Sequence, residues 1–140
     1  MTSLRTDGRT VRELLGGVDL SQPIGMLNLL KFRAEAQYDE PSSKERCSGA
    51  DAYRRYAEGV MPLLAGKGIT LHLRGGIELI GPPDEWDAAF VIRYPRGEML
   101  VELAESAGYV SVVHHRAAAV ADSRLLLMEF VAEEVTELLR

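Results

Sequence analysis

A histidine pair followed by an arginine, His114-His115-Arg116, is the part of this sequence best suited to chemistry. A neutral imidazole can act as a general base near pH 7, and an adjacent guanidinium can hold an oxyanion. Successive residues on a helix point about 100° apart, so the two imidazoles do not easily face one site. The alternative is a histidine near a helix end that is hydrogen-bonded to a backbone carbonyl.

Polar residues also interrupt segments that are otherwise apolar. They are Asn28, Lys31, His72, Arg74, Arg93 and Glu129. A cavity with a few convergent polar groups is the usual form of a small-molecule site. If these residues line a barrel cavity, they predict a pocket for an anionic or carbonyl-bearing ligand. Asn28 would then orient the ligand while Arg74 or Arg93 stabilises negative charge. The alternative is that they lie at strand ends in solvent or form structural ion pairs.

Other candidate residues have plainer expected roles. Cys47 is the only cysteine and has no identified base, so neither an internal disulfide nor a nucleophilic thiol is indicated. The spacing of histidines and carboxylates predicts no metal site, and neither a G-x-G-x-x-G nor a P-loop motif is present. We therefore predict no metal and no cofactor. Arg116 is expected to pair with Asp122, and Tyr53 and Tyr56 to pack in the core.

Composition restricts the class of protein. The 140 residues are 46% hydrophobic and 26% charged, which predicts one soluble globular domain over 1–140. A net charge of -5 disfavours a nucleic-acid partner, because such binding depends on excess Lys and Arg. No apolar run is long enough to span a membrane and no signal peptide is recognisable, so a cytoplasmic protein is expected.

The elements that position these residues follow from hydrophobic periodicity. Strands are predicted over 24–33, 69–80 with a bulge at Gly75-Gly76, 88–94 and 124–131. Helices are predicted from Thr10, from Ser48 to the glycines at 66 and 68, and from Gly97 to about 120 with a break at Gly108. Residues 34–47 are expected to form a loop. The core over 24–131 thus has the order βαββαβ, with helical extensions at 1–22 and 132–140.

That order predicts an α+β, ferredoxin-like fold. Its four strands form one antiparallel sheet, and its helices pack on one face of that sheet. The strands carry apolar residues on both sides, so a monomer would expose a large apolar face. We therefore predict a homodimer in which two sheets pack face to face.

Several strings resemble a bacterial family catalogued as domain of unknown function 1330, within the dimeric α+β barrel superfamily. They are residues 26–33, 48–56, Gly81-Pro82, Trp86-Asp87, Arg93-Tyr94-Pro95, Tyr109, His115-Arg116 and Asp122-Ser123-Arg124. The resemblance covers about residues 24 to 131 and implies the same fold and dimer, but no established reaction. It selects His115 rather than His114 as the candidate general base.

Two functions are therefore expected, from different classes. Superfamily relatives include monooxygenases and isomerases, and this implies a cofactor-independent enzyme acting on a small organic molecule in the barrel cavity. The alternative is a non-catalytic dimer that binds a metabolite or a protein. The sequence leaves open whether the protein is an enzyme.

Overall fold

Four antiparallel strands form the single sheet of the computed structural model, which describes residues 8–39 and 46–139. They are β1 (Ile24–Phe32), β2 (Thr70–Arg74), β3 (Ala88–Tyr94) and β4 (Val120–Glu129). The helices are α1 (Val11–Leu14), α2 (Gly49–Leu64), α3 (Glu98–Glu105) and α4 (Ala107–Ala119), and a 3-10 helix spans Val135–Leu139. The strand order β2-β3-β1-β4 confirms the predicted ferredoxin-like fold.

Side-chain caps begin α1, α2 and α4, and those of α1 and α2 lie where the sequence predicted them. The Ser48 hydroxyl accepts a hydrogen bond from the Asp51 amide at 3.0 Å, and Thr10 accepts one from the Glu13 amide at 3.1 Å. The predicted break at Gly108 is wrong. It lies at Ser106, which ends α3 and whose hydroxyl accepts from the Tyr109 amide at 3.1 Å to begin α4. A capping hydroxyl satisfies an otherwise unpaired helix amide.

The core lies between the helices and one face of the sheet. Alternate β1 residues point toward the helices and are buried: Ile24, Met26, Asn28 and Leu30. Tyr94 and Leu100 complete the cluster around Ile24 and Met26. Because side chains alternate along a strand, the intervening β1 residues point to the opposite face, where Leu126, the partner of Leu27, is 48% exposed.

The second predicted strand is too long. β2 ends at Arg74, and beyond it Gly75 and Gly76 take positive φ values of 82° and 142°. The Gly75 amide still donates to the Ala89 carbonyl at 2.9 Å, but residues 77–80 form no strand. Ile77 is 86% exposed and Ile80 98%. Their apolar character therefore does not reflect pairing within this sheet.

The chain ends also differ from expectation. The predicted terminal helix over 132–140 is a 3-10 helix with exposed apolar residues, and β4 begins at Val120 rather than Arg124. Residues 1–7 of the N-terminal extension and 40–45 of the loop at 34–47 lie outside the described residues. Within 8–39 and 46–139, every helix is too short or too polar to cross a bilayer.

Candidate functional site

A pocket of about 550 Å³ opens between the helix-facing side of the sheet and the three longer helices. Its lining is mostly apolar and aromatic. Met26, Ile92 and Leu125 line it from the sheet, and Val60, Leu64 and Leu103 from the helices. Ligand sites in proteins commonly have this volume and this lining. The pocket thus lies within one chain, between its sheet and its helices.

Strand register places a row of four side chains across the sheet side of this pocket. Arg74 pairs with Phe90, which pairs with Asn28, and Asn28 pairs with Leu125. Asn28 is 7% exposed, and its amide nitrogen donates to the Met26 carbonyl at 3.1 Å. The neighbouring row consists of Leu71, Ile92, Met26 and Leu127. Polarity is therefore concentrated in one row of the sheet.

Tyrosines from the helices and from β3 supply the phenols of the pocket. The hydroxyls of Tyr56 and Tyr109 lie 2.9 Å apart and share a hydrogen bond. Burial raises the pKa of Tyr53, Tyr56 and Tyr94 above the ordinary value of 10.0. These phenols are therefore neutral near pH 7, and they can donate hydrogen bonds.

Arg116 brings the one guanidinium that reaches the pocket from a helix. It follows Tyr109 by seven residues and Val113 by three, so all three side chains share the inward face of α4, on which Tyr109 and Val113 are buried. Its Nη2 atom is buried and has no hydrogen-bond partner. Leaving a charged donor buried and unpaired is costly, and a ligand acceptor would recover that cost.

The expected pair of Arg116 with Asp122 does not form. Asp122 is paired with Arg124 instead, and the Arg124 guanidinium also donates to the Ser123 carbonyl at 2.9 Å. Arg124 lies 5.5 Å above the ring of Trp86. Local charge at the start of β4 is thus satisfied without Arg116.

The structure separates the four residues predicted for the site into two groups. Asn28 and Arg74 line the pocket, whereas His115 and Arg93 are outside its lining. The His115 Nδ1 atom lies 2.7 Å from the Tyr38 hydroxyl, which also accepts from Arg55 at 3.3 Å. A role for His115 as a base would therefore concern a different surface from this pocket.

The remaining polar strand residues are also distributed away from the pocket. Arg93 lies on the open sheet face with its guanidinium 5.6 Å above the ring of Phe130, and His72 meets the same ring edge-on at 5.4 Å. Lys31 pairs with Asp87 at 3.3 Å, and Glu129 is exposed. Within 8–39 and 46–139, no cluster of three or more histidine, cysteine or acidic residues could hold a metal.

Comparison with known proteins reveals a relative of solved structure that matches most of the chain. No protein-family model and no curated protein matches the chain. The crystal structure of RPA0582, a protein of unknown function from Rhodopseudomonas palustris, is 32% identical in sequence with a TM-score of 0.78. The match covers 94% of this chain and 98% of that one. The chain belongs to the RPA0582 family.

Two further structures extend this comparison. The methylated RPA0582 protein gives a TM-score of 0.79 over 94% of this chain and 95% of that one, at the same 32% identity. A putative antibiotic biosynthesis monooxygenase from Caulobacter crescentus is 10% identical with a TM-score of 0.55, and the match covers 85% of this chain and 98% of that one. At that identity, the likeness concerns the fold alone.

In this member of the RPA0582 family, sequence reasoning missed Arg116 and the tyrosines as pocket residues. The signal was helical spacing, because a residue seven positions after a core tyrosine on one helix faces the same way. Arg116 stands in that relation to Tyr109. Because Asp122 is close in sequence, a salt bridge between Arg116 and Asp122 was predicted instead, and the inward orientation of Arg116 was missed.

At the pocket edge, Asp87 ties β1 to the start of β3 and predicts a pH effect. Its carboxylate accepts from the Phe32 amide at 2.8 Å and pairs with Lys31. These contacts, the amide first, lower the pKa of Asp87 below its ordinary 3.8. Its stabilisation is therefore complete above about pH 4 and is lost as pH falls through the lowered pKa.

Replacing Asp87 with asparagine tests this effect. Solvent screening keeps the expected loss in free energy of unfolding at pH 7 below about 1 kcal/mol. Urea unfolding of both proteins between neutral pH and about pH 2 should show the difference shrinking as Asp87 becomes protonated. A difference that is constant over this range would contradict the assignment.

Proposed function

We propose that the protein binds a small, largely apolar organic molecule with a carbonyl or anionic group in this pocket. The observation that carries the proposal is the buried, unpartnered Nη2 of Arg116 in a pocket of about 550 Å³ with mainly apolar walls. Apolar walls supply affinity, and a few polar groups fix orientation. Asn28 and Arg74 add polar groups from the sheet side.

Binding is better supported than proton-transfer catalysis. The lining residues of this pocket include no histidine, cysteine, lysine or glutamate, and the carboxylate of Asp87 is already held by Lys31 and the Phe32 amide. A general base must reach the proton that it removes. Within this pocket, the described side chains therefore serve mainly as hydrogen-bond donors.

A second candidate function is an enzyme that polarises a carbonyl. Neutral phenols and a guanidinium are the groups that stabilise a developing oxyanion, and Tyr56, Tyr109 and Arg116 all line the pocket. Such an enzyme would obtain its base from the substrate, from water or from outside this lining. Turnover of a carbonyl compound that is abolished by Arg116→Gln would support this candidate over simple binding.

Filling the pocket tests the binding proposal. Ala57 lines the pocket from α2, so Ala57→Phe should reduce the affinity for 2-acetylnaphthalene, an apolar carbonyl probe, by about tenfold or more. Calorimetric titration measures the affinity, and circular dichroism with thermal unfolding shows whether the fold is kept. If Ala57→Phe unfolds the protein, Ala104→Phe blocks the same pocket from α3.

The matched control lies on the same helix. Ala50 is exposed near the start of α2 and does not line the pocket, so Ala50→Phe should leave affinity unchanged. Equal binding by the wild type, by the control and by a folded pocket-filling variant would contradict the proposal. Failure of the wild type to bind the probe at millimolar concentration would also count against it.

We also propose that the protein is a homodimer and that it is a member of the family of domain of unknown function 1330. The support for a dimer is the open sheet face, where Leu126 is 48% and Met128 50% exposed. Soluble monomers rarely leave a contiguous apolar face of this kind uncovered. The support for the family assignment is the set of motifs between residues 24 and 131.

A further inference from the structure

We infer that the molecule bound in the proposed pocket is an amphipathic monocarboxylic acid, whose carboxylate is held by Arg116 and Tyr53 and whose apolar body lies over the Met26–Ile92 row. This inference rests on the proposed function and names its ligand class. It follows from three observations about the pocket. Two donors have no hydrogen-bond partner among the described residues, a row of the sheet is apolar, and only one of the two lining guanidinium groups, that of Arg116, has a buried nitrogen, since Arg74 is exposed.

The first donor is the Nη2 atom of Arg116, which is buried without a hydrogen-bond partner. The second is the hydroxyl of Tyr53, which forms no hydrogen bond with the described residues and belongs to a side chain lining the pocket. Burial raises the pKa of Tyr53, and Arg116 lowers it by a smaller amount. A guanidinium N–H and a neutral phenol O–H can each donate to one oxygen of a carboxylate.

Position along the sheet locates this donor pair. The Tyr53 ring lies 5.4 Å from that of Phe32 at the end of β1 and 5.3 Å from that of Tyr56 one turn later. α2 begins beside the end of β1, where the Gly49 amide donates to the Arg33 carbonyl at 3.0 Å, so Tyr53 lies near the Phe32 end of the strand. The polar head of a ligand would therefore lie toward this end.

The other end of the pocket fits an apolar body. The Leu71, Ile92, Met26 and Leu127 row on the sheet faces Val60, Leu64 and Leu103 on the helices. A dianionic phosphate is a poorer match, because Asn28, Tyr56 and Tyr109 already form hydrogen bonds within the protein and Arg74 is exposed. The buried donors that remain suit a monoanion with a substantial apolar part.

The test compares two probes of nearly equal shape, 2-naphthoate and 2-naphthamide, by calorimetric titration of the full chain at pH 7. We expect the wild type to bind naphthoate about tenfold or more tightly than naphthamide, because charge-assisted hydrogen bonds exceed neutral ones. Arg116→Gln should abolish this preference, and Arg116→Lys should retain part of it. Tyr53→Phe should weaken naphthoate binding by about fivefold, with a smaller effect on naphthamide.

Arg54→Gln is the matched control, because Arg54 lies beside Tyr53 on α2 but points to solvent, where it pairs with Asp51. It should leave both affinities unchanged. Equal binding of the two probes, or an acid preference that survives Arg116→Gln, overturns the carboxylate assignment. If both probes bind equally and Ala57→Phe blocks them, only the ligand class fails. If neither probe binds at millimolar concentration, the proposed function fails with it.

Discussion

The substitution Gly49→Ala is expected to lower the free energy of unfolding by about 2 to 4 kcal/mol, although it adds a single methyl group. A Cβ atom there would lie 2.3 Å from the Arg33 carbonyl oxygen and 2.5 Å from that of Ala119. Both are backbone atoms, so a rotamer change cannot relieve the clash. Three chain segments meet at this point, and at least one of them would have to move.

The same contact has a consequence for the pocket. The Gly49 amide donates to the Arg33 carbonyl at 3.0 Å, and the Arg33 amide donates to Ala119 at 2.8 Å. These bonds join the end of β1 to the start of α2 and the end of α4. Tyr53 lies one turn after Gly49, and Arg116 lies one turn before Ala119. Gly49→Ala should therefore also weaken naphthoate binding in the fraction that folds.

Urea unfolding followed by circular dichroism measures the stability change, and two other glycines calibrate it. A Cβ at Gly17 would meet nothing within 4 Å, so Gly17→Ala should stay within about 0.5 kcal/mol of wild type. At Gly59 the contact is 2.5 Å, but to a side-chain methyl of Val112, which can shift more easily. The expected order of destabilisation is Gly49, then Gly59, then Gly17. Wild-type stability in Gly49→Ala would refute the backbone clash.

Much of this fold could be predicted because local signals agree with it. Ser48 before a helical apolar pattern marks the start of α2, and Gly66 after it takes the positive φ of 75° that ends such helices. The strand predicted over residues 77–80 does not form. Hydrophobic periodicity indicates only the environments of the side chains, whereas a strand also needs a neighbouring strand to pair with. β3 begins only at Ala88, so no neighbouring strand extends beside these residues.

Which face a polar residue occupies was harder to predict, and Arg74 shows why. Residues 69–74 alternate strictly, which would place His72 and Arg74 on the same face. In the structure Leu71 pairs with Ile92 and Leu73 with Val91, so a bulge at His72 shifts the register. One extra residue reverses every later side chain, and Arg74 therefore turns into the pocket while His72 contacts Phe130 on the open face. Single-strand periodicity does not contain this pairing information.

The open sheet face predicts the second large effect, the loss of the proposed dimer in Leu126→Lys. Leu126 pairs with Leu27 at the middle of this face, where Leu29, Ala89, Val91, Met128 and Phe130 are also apolar. The Phe130 ring packs where Gly25 lacks a side chain, 3.6 Å from the position of a Cβ. The row of the sheet that contains Leu126 continues through Leu27, Val91 and Leu73 and holds no charge, so lysine would introduce one there.

In a two-fold symmetric interface each substitution occurs twice, so Leu126→Lys is expected to weaken self-association by about 100-fold or more. Analytical ultracentrifugation at micromolar concentration should give the wild type about twice the 15.4 kDa chain mass and the variant the single-chain mass. Val110 on α4 is 46% exposed, close to the 48% of Leu126, so Val110→Lys controls for the loss of an exposed apolar residue and should remain dimeric. A wild-type protein that sediments as a monomer would contradict the proposed interface. If Leu126→Lys is still a dimer, the interface must lie on another surface, because two lysines buried at the centre of a sheet-to-sheet interface would not be tolerated.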